Sequence, residues 1–167
     1  MKNLWSLQVG EVVVAEELSK KLPKNYQVFI PLNNQLRDID LVLANLDKKN
    51  YVTIQVKESR EYTLGEANGW FTVSADKLIK SKIDVDYYIF LLYTARQTKT
   101  KYENHTEFII VPSKILKERS KQKKQVKGRL HYYFHIKDNK VFEVRESKKE
   151  PVDYSKYLNN FEQLKWY

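Results

Sequence analysis

Three polar side chains set into two apolar stretches are the residues of this chain best placed to do chemistry. Asp40 stands in Ile39-Asp40-Leu41-Val42-Leu43, and Gln55 and Lys57 stand in Val52-Thr53-Ile54-Gln55-Val56-Lys57. A carboxylate and an amide carbonyl are hard oxygen donors. Mg²⁺ uses few such protein ligands and fills its remaining positions with water and substrate phosphate. Lysine is a donor-only cation, suited to steering an attacking water or to stabilising charge that builds up around phosphorus. The combination points to metal-dependent hydrolysis of a phosphodiester. The plainer alternative is an Asp–Lys cross-strand ion pair on a wetted face, which contributes little.

The element that must position these groups is a hairpin over residues 38–59. Ile39, Leu41 and Leu43, then Val52, Ile54 and Val56, recur at every second position, and Asp47-Lys48-Lys49-Asn50 supplies turn residues between them. With Lys48 and Lys49 as the two turn residues, the numbers of opposed residues sum to 97: Asp40 faces Lys57, Val42 faces Gln55 and Asp38 faces Ser59. Opposed residues place their Cβ atoms about 5 Å apart, and residues two apart on a strand share a face. Asp40, Gln55 and Lys57 then converge, whereas a slip of one residue would scatter them.

The stretch from Asp40 to Gln55-Val56-Lys57 resembles the PD-(D/E)xK nuclease superfamily, which includes type II restriction enzymes and Holliday junction resolvases. That family places an Asp at the start of one strand and an acidic-x-Lys at the end of the next. Two positions depart from the pattern. Arg37-Asp38 precedes Ile39-Asp40 where the family name has proline, and Gln55 stands in place of Glu or Asp. The second change removes a negative charge and bears on metal affinity and on the number of ions. The resemblance implies an α/β fold with a central mixed sheet flanked by helices (an αβββαβ core). It implies Mg²⁺, with Mn²⁺ as a substitute, held by Asp40 and Gln55. It also implies a first-helix acid beside the sheet, typically just after a Gly. Gly10-Glu11 matches this, and Glu16 or Glu17 matches by another alignment. DNA is the expected substrate, and pairing into a homodimer is common where two strands are cut, although no residue here marks such a surface.

Around this centre, Leu4 to Leu22 reads as an amphipathic helix with Leu7, Glu11, Val14, Ala15, Leu18 and Leu22 on one stripe. Glu16 and Glu17 fall on its wet side. Tyr26 to Leu32 reads as a strand leading into the polar loop Asn33 to Arg37, where Arg37 could meet substrate. Past Lys57, Ser59 and Arg60 are positioned to contact phosphates, Arg60 by its fork geometry. A loop carrying Trp70 and a short helix from Ser74 to Lys80 follow. Asp86 to Thr94 is continuously apolar, as in a strand buried on both faces, and Glu107 to Val111 is a shorter strand ended by Pro112. The charged run Ala95 to Thr106 should be an exposed loop between them. Ser113 is a candidate N-cap for a helix reaching Lys124. The closing elements are a hairpin around Asp138-Asn139 and a C-terminal helix over 151–167, docked by Tyr157, Leu158, Phe161, Leu164 and Trp166.

The chain has 167 residues, 42% of them hydrophobic, which suits one domain over 1–167: a core at about 4–118 and a C-terminal extension at about 119–167. Without cysteine, neither a disulfide framework nor a Cys-based zinc site can form, and His105, His131 and His135 lack metal-ligand spacing. No apolar run is long enough for a membrane span and the N-terminus has no signal-peptide pattern, so a cytoplasmic location without a membrane partner is expected. A net charge of +9 favours polyanionic partners. Lys121, Lys123 and Lys124, in the densely basic run from 114 to 129, are candidates to track a nucleic-acid backbone. Two rival readings remain from the sequence: a catalytically inactive nuclease-fold module that binds nucleic acid or protein, favoured by Gln55, and an RNA-cleaving toxin or defence component.

Overall fold

The 38–59 hairpin forms, but two residues out of the expected register. In the computed structural model, which describes residues 8–31, 38–59, 67–79, 85–97, 100, 102–145 and 150–166, β2 (Leu41–Asn45) pairs antiparallel with β3 (Asn50–Ser59). Leu41 faces Ile54 and Asn45 faces Asn50, so paired numbers sum to 95 and the loop has four residues, 46–49. Asn45 causes the difference. Its Oδ1 accepts the N–H groups of Asp47 and Lys48, both at 3.1 Å, folding a side-chain-capped turn, and Lys49 then closes the loop at φ 54°. A shift of two keeps every side chain of the paired residues on its expected face.

β3 is central. β1 (Tyr26–Phe29) pairs with β2, and β3 pairs in parallel with β5 (Tyr87–Gln97), which pairs antiparallel with β6 (Tyr102–Pro112). The result is a five-stranded mixed sheet in the order β1-β2-β3-β5-β6. Residues 52–56 are all buried, as a strand covered on both faces requires. Asp86 locks the parallel pairing: its Oδ2 accepts the Thr53 N–H at 2.7 Å and the Thr53 hydroxyl at 2.8 Å. The strand β6 begins well before Glu107, so the expected loop over 95–106 is instead largely a continuation of the β5–β6 ladder, through Gln97 paired with Tyr102.

One face of this sheet is covered by α1 (Val9–Lys21), whose Val14 and Leu18 pack with Leu41, Leu43, Val52, Ile54 and Val56. Glu11 lies on the buried side of α1, while Glu16 and Glu17 pair with Lys20 at 2.6 Å and Lys21 at 3.7 Å, as the stripe predicted.

The opposite face departs from expectation. Helices were to flank it; a second, four-stranded sheet does so instead, its strands in the order Ala67–Ser74, Arg129–Lys137, Lys140–Glu143 and Val152–Asp153. The segment carrying Trp70 is not a loop but strand β4 (Ala67–Ser74), paired antiparallel with β7 (Arg129–Lys137). Gly69 makes its close approach possible, because a Cβ there would lie 2.6 Å from Phe71 and 2.8 Å from Leu92. Phe71, Val73, Leu130, Tyr132, Phe134 and Ile136 face inward onto Tyr88, Phe90 and Leu92 of β5. The helices α2 (Ala75–Ile79) and α3 (Ser113–Ser120) are short and border this second core. Ser113 is not an N-cap but the buried first residue of α3, which ends at Ser120 and not at Lys124.

β7 turns into β8 (Lys140–Glu143) through Asp138 and Asn139 at φ 51° and 58°, the paired left-handed conformation of a tight hairpin. The expected C-terminal helix is replaced by β9 (Val152–Asp153) and two 3-10 turns, Ser155–Tyr157 and Phe161–Trp166. Tyr157 enters one core while Phe161 and Leu164 enter the other, so residues beyond 119 complete both cores and are not an appendage.

Candidate functional site

The site lies where β2 and β3 part company. Ile39 packs in the core beneath the second sheet, whereas Leu41, two residues on, packs beneath α1. The expected alternation of Ile39, Leu41 and Leu43 on one face is therefore broken at Asp40. Beyond this point the backbone of β2 no longer serves β3. The Asp40 carboxylate takes over: Oδ2 accepts the buried Val56 N–H at 2.8 Å, and the Asp40 N–H donates to the Ile54 carbonyl at 2.9 Å. An orphaned buried N–H would be costly, so one carboxylate oxygen is held firmly by the strand it faces.

One step beyond Leu41–Ile54 in the same register, Asp40 stands against Gln55 and not against Lys57 as expected. Gln55 is buried and Lys57 partly buried, and both project from the face of β3 opposite to Ile54 and Val56. Burial is the largest influence on Lys57 and pushes its ammonium below the ordinary lysine range. Asp40 opposes this most, Lys77 adds to the lowering, and Asp38 and Glu11 oppose it further. The sheet thus brings Asp40, Gln55 and Lys57 together, with Glu11 as the most weakly felt of the surrounding charges. Glu11 is 2% exposed and Asp40 9%.

Glu11 is placed by the residue before it. The Gly10 N–H donates to Glu58 Oε2 at 2.9 Å, so the side chain of β3's penultimate residue satisfies a donor in the first turn of α1. A Cβ on Gly10 would stand 2.5 Å from that oxygen and 3.2 Å from the Glu58 Cβ. Gly-Glu is therefore a contact requirement followed by a buried acid.

Two participants escaped the sequence. Asp38 does not face Ser59; it forms an ion pair with Lys77 of α2, which stands on the Lys57 side of the sheet. Nothing in the spacing of residues 38 and 77 signalled their approach. Ser59 has a structural partner, since its Oγ accepts the Trp70 N–H at 3.0 Å and ties the end of β3 to β4. Arg37 and Arg60 lie outside the described residues, as does the loop from 33 to 37.

Of the basic candidates, Lys121 and Lys124 are exposed. Lys123 is a correction: its side chain is 7% exposed, with Nζ 3.0 Å from Glu143 Oε1 and 4.8 Å from the centre of the Tyr132 ring. It holds the second core together and does not face an external phosphate. His131 and His135 have polar neighbours, Thr72 Oγ1 at 3.2 Å and Asn68 Oδ1 at 2.8 Å.

Among the described residues no group of three or more His, Cys, Asp and Glu side chains is placed to hold a metal ion. A cation beside Asp40 would depend on the amide oxygen of Gln55 as well as on carboxylates. Among the same residues no helix is long and apolar enough to cross a membrane.

Comparison with known proteins returned no matching family model, no matching curated protein and no matching solved structure. Geometry and chemistry carry the functional reading.

Proposed function

We propose that this protein is a metal-dependent nuclease of the restriction-endonuclease-like fold, in the Gln-x-Lys variant, acting on DNA. The observation that carries the reading is the position of Lys57. It lies partly buried, lowered in proton affinity, among Asp40 and Glu11 and beside Gln55, where two strands diverge. The succession of α1, β1, β2, β3, β4, α2 and β5 supports it, since β3 and β5 are parallel and joined through β4 and α2. So does the net charge of +9.

The donor set fits a hard cation. Asp40 and Gln55 would hold Mg²⁺ or Mn²⁺, with Glu11, reaching from the α1 side of the sheet, completing the shell directly or through water; the ion when bound supplies Lewis acidity at phosphorus and a more acidic water. The chain's own groups do the rest. The Val56 N–H fixes the Asp40 carboxylate in one orientation. Lys57 directs its N–H donors at the phosphate or at the attacking water. Burial lowers its proton affinity, so the ammonium gives up a proton more readily than an ordinary lysine does. Arg37, Arg60, Lys121 and Lys124 would contribute charge along the substrate backbone, and two copies would be needed where both strands are cut at one place.

The test is cleavage of plasmid, single-stranded DNA, duplex DNA and tRNA in Mg²⁺ by the wild-type chain and by Lys57→Met. Loss of about a hundredfold or more is expected on removing a transition-state donor. Cleavage by Lys57→Met at the wild-type rate would overturn the assignment. Preference for tRNA would move the substrate to RNA.

Gln55 favours a second reading, a nuclease-fold module that binds without cutting, because an amide in place of an acid leaves less charge to attract a cation. Calorimetry at millimolar Mg²⁺ and Mn²⁺ separates the two: no heat of binding with either ion selects the binding module.

A further inference from the structure

The inner side of the second sheet is filled by Phe71, Tyr132, Phe134 and their neighbours, so the core has no need of aromatic residues on its outer side. They are there nonetheless. On β4, Trp70 stands opposite Tyr133 of β7, and Thr72 opposite His131. The Trp70 ring lies 5.9 Å from Tyr133 and 5.7 Å from His131, centre to centre, and the indole residue is 43% exposed. Arg145 places its guanidinium 4.2 Å from the centre of the same ring. Phe142 continues the face on β8, opposite His135.

Cations outnumber acids on this surface. Arg129, Lys137, Lys140 and Arg145 are exposed on it or at its rim. Asp153, across from Phe142, has an oxygen engaged by the Ser155 N–H at 2.7 Å, and Asp138 lies in the turn. Burial, then Arg145, Arg129 and Lys123, lower the proton affinity of His131 below the usual histidine range.

We propose that the outer face of the β4-β7-β8-β9 sheet binds single-stranded nucleic acid, with bases stacking on Trp70, Tyr133 and the Arg145 plane and the rim cations contacting phosphates. Aromatic rings on an open sheet read unpaired bases, whose faces are unavailable in a duplex. A polyanion with flat apolar faces matches both the rings and the charge. The Ser59–Trp70 hydrogen bond places this platform at the end of β3, two residues past Lys57. The platform needs neither metal nor hydrolysis, so it stands or falls apart from the nuclease reading.

The experiment is fluorescence anisotropy in EDTA, with labelled oligo-dT, oligo-U and a duplex of equal length, at several salt concentrations. Both single strands are expected to bind tighter than the duplex, and their ranking tells RNA from DNA. Trp70→Ala and Tyr133→Ala should each weaken single-strand binding about tenfold. Tyr133→Phe, which keeps the ring, should restore it. Arg145→Ala should also lower the salt slope by about one. Lys20→Ala, on α1 across the five-stranded sheet from this face, should leave the single-strand preference unchanged. Circular dichroism and the melting temperature of each variant confirm that it is folded. Equal affinity for duplex and single strand, absence of binding, or folded Trp70→Ala and Tyr133→Ala variants with wild-type affinity would each overturn the platform. So would light scattering that shows a dimer of the wild-type chain lost in Trp70→Ala, which would assign the face to a second copy.

Discussion

The Asp40 carboxylate accepts the Val56 N–H at 2.8 Å, across the point where their two strands separate. This single contact makes Asp40 both a structural residue and a metal-ligand candidate, and two substitutions separate the roles. Asp40→Asn keeps a carbonyl oxygen for Val56 but removes the charge, so the fold should stay close to wild type while cleavage falls by about a hundredfold or more. Asp40→Ala strands a buried donor and should cost about 1–3 kcal/mol of stability as well. Urea denaturation beside a plasmid nicking assay measures both. Undiminished cleavage by Asp40→Asn would leave the carboxylate with a structural role alone.

Lys57 gives the proposed reaction a pH signature. Burial lowers its proton affinity from the ordinary lysine value, so the folded chain releases this proton at a lower pH than the unfolded chain does. Between the lowered value and about 10.5, the unfolded state binds more protons, and stability rises with pH across that window. Below it, both states carry the ammonium and the burial cost is fully present. Activity that depends on the ammonium should fall through the same window. Lys57→Arg stays charged throughout and should lose that alkaline limb, whatever its overall rate. A pH–rate profile with the same limb in Lys57→Arg would assign the titration to another group.

Gln55 offers a gain-of-function test. It stands against Asp40 in a buried position, so Gln55→Glu adds a fourth acid, after Asp40, Asp38 and Glu11, to the surroundings of Lys57. Without metal, like-charge repulsion and desolvation should lower the melting temperature by several degrees. With Mn²⁺ the loss should be recovered and the ion bound on the order of tenfold tighter. Thermal melts with EDTA and with Mn²⁺ read both effects. A variant whose melting temperature is unaffected by Mn²⁺ would remove Gln55 from any ion site.

The β2–β3 hairpin was legible because its signals are local. Period-two alternation located β2 and β3, and an even error in the register left the paired side chains on their faces, although Ile39, before β2, turns to the other. The turn was misjudged because Asn45 acts through its side chain, and capped turns compete with two-residue turns that look alike in sequence. Helix α1 and the burial of Glu11 followed from one stripe. The second sheet was not legible: β4 begins near Gly69, a residue that weakens a strand reading until Leu92 appears on its other side. Lys123 read as one more surface cation in a basic run. Only its approach to Glu143 and Tyr132, from distant stretches of chain, turns it inward. The Asp38–Lys77 pair shows the same boundary, since charges that meet through packing alone leave no spacing to read.

Gly10 and Glu58 make the placement of Glu11 testable without touching Glu11. The Gly10 N–H meets Glu58 Oε2 at 2.9 Å, and a Cβ at Gly10 would crowd the Glu58 Cβ at 3.2 Å and Cδ at 3.3 Å. Gly10→Ala gains about 1 kcal/mol of intrinsic helix preference yet should be destabilising by about 1–2 kcal/mol net, because the Glu58 side chain must shift and loses its contact with the helix. In a Glu58→Ala background the obstruction is gone, and the same Gly10→Ala change should become neutral or stabilising. The resulting coupling, on the order of 1–3 kcal/mol for residues in contact, is measured by urea denaturation of the four variants. Additive effects would show that Gly10 and Glu58 do not set how closely α1 approaches β3, and Glu11 would then need another explanation for its burial.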